Sequence, residues 1–171
     1  MKNSIKLTFC GIIAALITVL MAASLVPNIT FAVPAIAGLL IIPVFAEVGL
    51  GYSVACFFVS AALSFFISDK TSFVLYLALF GYYPIIKPYI EKIDNPVLKW
   101  ALKLMLFNSS ALGCYAVEVL LFALVLKGWV LAAVFALGNI AFVLYDIAVS
   151  RIALLYYLRL HDRVAAILKK R

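Results

Sequence analysis

Polar side chains lie inside two of the apolar stretches of this sequence, and their spacing could support binding of a small polar solute. In the fifth stretch, Asn108, Tyr115 and Glu118 recur at helical spacing and so share one face of a helix. Asn139 lies near the middle of the sixth stretch. A carboxylate, a phenol and two amides could orient such a solute by hydrogen bonds. Because an ionisable group among apolar residues is costly, Glu118 is a functional candidate.

Both carboxylates in these stretches also have a structural interpretation. Glu118 could instead be hydrogen-bonded to a neighbouring helix in its protonated form. Asp146 lies deeper, near the level of Lys87, Lys103 and Arg151, which favours a structural salt bridge. Asp146 and Arg151 are five residues apart and diverge around the helix, so they are poor partners for each other.

The composition indicates that lipid surrounds these stretches. The chain has 171 residues, of which 68% are hydrophobic and 12% charged, and its mean hydropathy is +1.22. Soluble domains carry about 25% charged residues. One crossing of a bilayer takes roughly 20 apolar residues. Six apolar stretches follow one another along the chain, at about 7–26, 30–48, 52–67, 73–87, 104–126 and 129–158.

We therefore predict an all-α integral membrane protein with six transmembrane helices and short loops. It forms a single domain over 1–171, with a basic tail at about 159–171. Pro84 and Pro88 predict that the fourth helix is short or kinked, or leaves the membrane at Lys87.

The basic residues are sorted by side, which predicts the orientation. Twelve of the fourteen fall on the side of the N-terminus, and only Lys70 and Lys127 fall on the other. Cytoplasmic segments are enriched in lysine and arginine. This asymmetry predicts a plasma-membrane protein with both termini in the cytoplasm. The twelve are Lys2, Lys6, Lys87, Lys92, Lys99, Lys103, Arg151, Arg159, Arg163, Lys169, Lys170 and Arg171.

Several classes of function lack support in the sequence. The basic residues flank apolar stretches and form no patch with interleaved aromatic residues, so we expect no nucleic-acid partner. No phosphate-loop, zinc-protease or serine-hydrolase motif is present, so we expect neither an enzyme nor a cofactor. Cys10, Cys56 and Cys114 are dispersed, and His161 is expected to be a solvated residue of the tail. We predict no metal site.

Four small residues recur at spacings of four, three and four in the first apolar stretch: Gly11, Ala15, Thr18 and Ala22. Small side chains let helix backbones approach closely in lipid. The stripe could therefore dock a second membrane subunit, or it could pack against other helices of this chain.

The tyrosines of the fourth stretch divide into two groups. Tyr82, Tyr83 and Tyr89 are expected in the belt of aromatic residues at the cytoplasmic interface. Tyr76 lies just below the opposite loop, where it could contact a solute. Lys87 and Glu91 are four residues apart, a spacing that favours a weak surface pair.

In size, six spans, orientation and basic tail, the chain resembles the substrate-binding S component of energy-coupling factor (ECF) transporters. Within the sequence, the resemblance rests on the small-residue stripe and on the connection Val26-Pro27-Asn28. The resemblance implies an outward pocket for a vitamin-like organic micronutrient, and docking through the stripe to a transmembrane T subunit with two ATPases. By position, that pocket contains Asn28, Thr30, Tyr76, Tyr115, Glu118 and Asn139.

Two further functions remain open from the residues alone. The chain could be a self-sufficient small transporter or channel, coupled to protons through Glu118. It could also be a structural membrane protein with no solute. In every case membrane lipid surrounds the chain, and the sequence does not identify a solute.

Overall fold

The computed structural model describes residues 3–26, 28–122, 127–162 and 164, and these are helical apart from short connections. The elements, in chain order, are α1 (Asn3–Ala22) with a 3-10 turn (Ala23–Leu25), α2 (Ala32–Leu39), α3 (Ile41–Val48), α4 (Leu50–Ile67), α5 (Lys70–Leu75), a π-helix (Tyr76–Phe80), α6 (Tyr83–Ile90), α7 (Pro96–Phe122) and α8 (Gly128–Arg159). No β-strand occurs within the described ranges. The all-α prediction is confirmed for them.

Four helical segments of the described chain are long and apolar enough to cross a membrane: Asn3–Leu25, Leu50–Ile67, Lys70–Ile90 and Gly128–Arg159. Ala32–Val48 is a shorter apolar segment. Large apolar side chains point outward from these helices, including Phe66 and Trp129, which are 82% and 74% exposed. Large apolar side chains that point outward suit a lipid environment. The prediction of a multi-pass, membrane-type chain is therefore supported in its coarse form.

Two prolines divide the second apolar stretch into α2 and α3. Pro34 and Pro43 each occupy the third position of their helix. A backbone N–H group there would have no partner within the helix, so proline removes no helical hydrogen bond. The ring of Pro43 is incompatible with continued α-helical bonding to Leu39, four residues earlier. The chain accordingly makes a tighter bond at the junction, from the Leu40 N–H to the Ala37 carbonyl at 3.2 Å.

The fourth stretch is interrupted, as its prolines predicted, but the interruption begins earlier. Asp69 caps α5 by accepting bonds from the N–H groups of Thr71 at 3.1 Å and Ser72 at 3.4 Å. The π-helix follows, and the Gly81 N–H closes it by bonding to the Tyr76 carbonyl at 2.8 Å. Single π-helical turns of this kind occur often at functional positions.

Gly38 brings α2 against the π-helix and α8. A Cβ at this position would collide with the carbonyl oxygen of Phe80, and would lie 2.9 Å from the Tyr145 hydroxyl. The same hydroxyl donates to the Phe80 carbonyl at 3.3 Å. The absence of a side chain at Gly38 therefore allows α2, the π-helix and α8 to pack closely at this position.

Small side chains let α1 and α4 pack closely. Cys10 and Ala14 on α1, and Cys56 and Ala61 on α4, belong to one buried core cluster. The Cys56 thiol donates to the Cys10 carbonyl at 3.6 Å, so the two backbones are near each other. All three cysteines are buried thiols, as is common for cysteine in protein interiors.

The connection between α6 and α7 is shorter than the polar segment 87–103 suggested. Asn95 caps α7 by accepting bonds from the N–H groups of Val97 at 2.9 Å and Leu98 at 3.3 Å. Pro96 occupies the first helical position, where proline is favoured. Helix α7 thus begins eight residues before the predicted start at residue 104, and it carries lysines into the bundle.

Candidate functional site

Three groups of polar side chains inside the described bundle are candidates for a functional site. The amide pair consists of Asn108 and Asn139. The charged cluster consists of Tyr83, Lys87, Glu91, Lys103 and Asp146. The hydroxyl cluster consists of Ser60, Ser64 and Tyr76. Each group joins different helices, so each could bind a ligand or stabilise the fold.

The amide pair links α7 to α8. Asn108 donates to the Asn139 side-chain oxygen at 3.0 Å, and Asn139 donates back at 3.1 Å. Each amide also donates to a carbonyl one turn earlier on its own helix, at 2.8 Å in both cases. All four N–H donors are therefore occupied. A solute could meet Asn139 only through an oxygen lone pair or by separating the pair.

The charged cluster joins α6, α7 and α8 around Asp146. One carboxylate oxygen of Asp146 accepts from the Tyr83 hydroxyl at 2.5 Å and from the Lys87 ammonium. The other oxygen accepts from Lys103 at 2.9 Å. Lys87, Lys103 and Asp146 are 4%, 2% and 4% exposed. Buried charges persist only when they are paired and hydrogen-bonded, as they are here.

Glu91 extends the charged cluster toward its exposed side. Its carboxylate accepts from Lys103 at 2.5 Å and lies 3.3 Å from Lys99 and 3.8 Å from Lys87. The hydrogen bond from Lys103 lowers the pKa of Glu91 below its usual value. Glu91 is thus ionised at neutral pH, and it balances part of the positive charge of the three lysines.

These contacts confirm part of the sequence interpretation and correct part of it. The prediction that Asp146 forms a salt bridge with lysines at its level is confirmed. Arg151 is exposed and lies outside the cluster. The prediction that Tyr83 belongs to the interfacial belt is wrong, because Tyr83 is fully buried and bonded to Asp146. The predicted pair of Lys87 and Glu91 is present at 3.8 Å, but it does not lie at the surface on the Lys87 side, because Lys87 is buried against Asp146.

The hydroxyl cluster joins α4 to the π-helix. The hydroxyls of Tyr76 and Ser60 are 2.7 Å apart, and Ser60 donates to the Phe57 carbonyl at 3.0 Å. Ser64 lies one turn further along the same face of α4 and is fully buried. Its Oγ has no hydrogen-bond partner among the described residues. Sequence reasoning found Tyr76 but missed both serines.

Hydrogen bonds join the connection between α1 and α2 to the beginning of α5. The Thr30 carbonyl accepts from the Ser72 hydroxyl at 2.8 Å, and the Asp69 N–H donates to the Ser24 hydroxyl at 3.0 Å. Asn28 is exposed and has a φ of 77°, a left-handed conformation that asparagine tolerates better than most residues. The connection after α1 is therefore fastened to the start of α5.

The six predicted solute-binding residues do not form one bonded group. Thr30, Tyr76 and Asn139 are each bonded to a residue outside the predicted set, namely Ser72, Ser60 and Asn108. Tyr115 is half-buried on α7, and Asn28 is exposed. The Glu118 side chain lies outside the described part of the structure.

The small-residue stripe of α1 stays on one face of the helix, but its burial changes along the helix. Gly11 and Ala15 are exposed, and nothing lies within 4 Å of a Cβ built on Gly11. Thr18 is buried and donates to the Ala14 carbonyl at 2.9 Å, whereas Ala22 is half-buried. Gly11 and Ala15 are thus available to a partner, and Thr18 faces this chain's own helices.

His161 is not the solvated tail residue that its position suggested. Its Nδ1 lies 2.7 Å from the Glu47 carboxylate, which also accepts from the Tyr156 hydroxyl at 2.7 Å. Glu47 is buried at the end of α3, with its side chain 5% exposed. These bonds attach the end of α8 to α3.

Comparison with protein families, curated proteins and solved structures finds no match to this chain. A function for this chain is therefore inferred from the chemistry of its polar groups. No group of three or more histidine, cysteine, aspartate or glutamate side chains that could hold a metal occurs among the described residues. What the polar groups offer is hydrogen-bond donors and acceptors and paired charges.

Proposed function

We propose that this chain is the membrane-embedded solute-binding subunit, or S component, of an ECF-type importer. In this proposal it captures a small organic micronutrient from outside the cell. Partner subunits, a transmembrane T subunit and two ATPases, then supply the energy for uptake. The chain itself carries out no catalysis.

The proposed topology has six spans with both termini in the cytoplasm of a plasma-membrane protein. The four long apolar helical segments and the shorter one at Ala32–Val48 support a multi-pass arrangement. The distribution of twelve basic residues against two supports the orientation. On this topology, the hydroxyl cluster lies toward the outside, and the charged cluster lies toward the cytoplasm.

The observation that carries the proposal is the buried hydroxyl of Ser64, which has no partner in the described part of the chain. A buried polar group without a partner costs about 1–3 kcal/mol, and such groups are rare in folded proteins. In lipid, water is not available to offset this cost. A solute that hydrogen-bonds Ser64 beside Tyr76 would remove the cost on binding.

Replacing Ser64 with alanine is expected to separate stability from solute binding. Removal of the unpaired hydroxyl should raise the free energy of unfolding of the solute-free protein by about 1 kcal/mol. It should weaken binding of the solute about tenfold, because one hydrogen bond to the solute is lost. The solute is first identified by native mass spectrometry of protein purified from its own host. Its affinity is then measured for both proteins.

Ser53→Ala is the matched control. Ser53 is also fully buried on α4, but its hydroxyl donates to the Gly49 carbonyl at 2.9 Å. This variant should leave the affinity for the solute unchanged. Equal affinity of the Ser64→Ala variant and the unmodified protein would remove Ser64 from the site, and absence of any co-purified solute would count against a solute-binding subunit.

A second variant tests the partner subunit. Leucine in place of Ala15 puts a bulky side chain on the exposed small-residue face, where helix backbones would approach closely. We expect co-purification with the T subunit to fall at least tenfold, with no change in the thermal unfolding of the chain alone. Ala132→Leu is the control, because Ala132 is also exposed but lies on α8. Unchanged complex formation by the Ala15→Leu variant would contradict docking through α1.

The charged cluster supports a second candidate function. Ionisable groups within membrane helices commonly mark ion or proton pathways. Asp146 and Lys87 lie in helical segments that are apolar enough to cross a membrane. A self-sufficient transporter could use them for coupling. Transport of the co-purified solute by the purified chain alone, in liposomes with a proton gradient, would favour this function over the importer subunit.

A further inference from the structure

A cavity of about 260 Å³ lies between α3, α6 and α8, beside the charged cluster. Its walls are largely apolar, and they include Ile42, Phe45, Pro84, Val149, Ala153 and Tyr157. Three polar side chains, those of Lys87, Glu91 and Ser150, also line it. The cavity therefore suits a molecule with an apolar body and a charged group at one end.

Lys87 can still accommodate one acceptor. An ammonium group has three N–H donors. Lys87 donates to the Asp146 carbonyl at 2.7 Å and to the Asp146 carboxylate. The Glu91 carboxylate, at 3.8 Å, is too far away for a third hydrogen bond. Because Lys87 is almost completely buried and lines the cavity, a ligand there could supply the third acceptor.

The charge around the cavity favours an anion. Lys87, Lys99 and Lys103 contribute three positive charges, and Glu91 and Asp146 contribute two negative charges. One positive charge is therefore left over beside a cavity whose walls are largely apolar. An anion in the cavity would neutralise this charge at close range.

We propose that this cavity binds an anionic phospholipid, with the headgroup phosphate at Lys87 and part of one acyl chain along Ile42 and Val149. A dissolved anion would gain nothing from the apolar walls, whereas an acyl chain would. Tyr157, at the rim, is 50% exposed, as is expected where the cavity opens toward lipid. Basic pockets between membrane helices bind anionic headgroups on these physical grounds.

The test compares two lipids and two variants of the purified full chain by native mass spectrometry. Phosphatidylglycerol and phosphatidylcholine with identical acyl chains are titrated separately. We expect tighter binding of phosphatidylglycerol. Phenylalanine in place of Ala153 fills the cavity from α8, and it should reduce phosphatidylglycerol binding about tenfold. Phenylalanine in place of Ala141, which is exposed on the same helix, should leave binding unchanged.

Glu91→Gln changes the charge and leaves the cavity walls in place. It raises the surplus by one positive charge, so phosphatidylglycerol should bind about fivefold more tightly, while phosphatidylcholine binding should not change. A variant that only perturbed the fold would not tighten binding of one lipid selectively. If Ala153→Phe does not fold, the Glu91→Gln comparison alone decides.

Three results would overturn the proposal. Equal binding of the two lipids would exclude an anion site. Unchanged phosphatidylglycerol binding by Ala153→Phe, or by Glu91→Gln, would place the lipid elsewhere. Displacement of phosphatidylglycerol by an equal concentration of a water-soluble alkyl phosphate would assign the cavity to a dissolved amphipathic anion.

Discussion

Alanine in place of Asp146 is expected to lower the free energy of unfolding by about 3–5 kcal/mol, the typical cost of breaking a buried ion pair. Asp146 accepts hydrogen bonds from Tyr83, Lys87 and Lys103, and both lysines are almost completely buried. Without the carboxylate, Lys87 is left with Glu91 as a distant charge partner at 3.8 Å. A desolvated ammonium group with so weak a partner opposes folding.

The buried cysteines provide the measurement. Cys10, Cys56 and Cys114 are buried thiols, so a thiol-reactive fluorophore reports when the bundle opens on heating. We expect the midpoint of thermal unfolding of the Asp146→Ala variant to fall by about 10 °C. Asp94→Ala is the matched control, because Asp94 is exposed on the connection that follows α6. Equal midpoints for the two variants would contradict a structural role for the cluster.

Asparagine at the same position distinguishes charge from shape. Asp146→Asn keeps the size of the side chain and some of its hydrogen bonds but loses the negative charge. If charge pairing stabilises the bundle, this variant should be destabilised nearly as much as Asp146→Ala. A stable Asp146→Asn variant that no longer transports solute in liposomes would instead favour the second candidate function.

The sequence predicted helices better than it predicted their ends, for a physical reason. Hydropathy reports which residues lie in lipid, whereas capping determines where a helix begins. Asn95 accepts the capping bonds of α7, which begins eight residues before its apolar stretch. Asp69 accepts those of α5, which begins three residues before Phe73. The break at Leu40 follows from Pro43, which the sequence displays. The π-helix instead lies where Phe80 contacts Gly38, and no local sequence pattern reveals this contact.

The charged cluster was partly predictable because depth in the membrane can be counted along the chain. Counting placed Lys87, Lys103 and Asp146 at one level, and the structure joins them. Counting did not show which way Tyr83 faces, so its bond to Asp146 was missed. One signal was available, because Tyr83, Lys87 and Glu91 recur at spacings of four and therefore share a face of α6.

The two serines of the hydroxyl cluster were missed because serine is common in membrane helices for packing alone. Ser53, Ser60 and Ser64 lie at spacings of seven and four on α4, which places them on one face. The sequence does not reveal that two of them are paired and the third is not. Ser53 donates to the Gly49 carbonyl, and Ser60 donates to the Phe57 carbonyl and contacts Tyr76 of the π-helix, whereas Ser64 has no partner among the described residues.

Alanine in place of Gly38 should destabilise the protein by about 3 kcal/mol, although it adds only one methyl group. The new Cβ would collide with the carbonyl oxygen of Phe80, and it would lie 2.9 Å from both the Phe80 carbonyl carbon and the Tyr145 hydroxyl. A backbone carbonyl cannot rotate away as a flexible side chain can. Relief therefore requires α2 to move away from the π-helix, which costs packing on both sides.

Gly113→Ala is the matched control, and the opposite sign is expected for it. Gly113 also lies within a helix, but nothing is within 4 Å of a Cβ built there. Alanine should therefore stabilise α7 by up to about 1 kcal/mol through its higher helix propensity. Thiol-reactive unfolding of both variants measures the difference directly. Stabilisation of the protein by Gly38→Ala would mean that α2 and the π-helix are further apart than described, and that their contact does not hold the broken segments together.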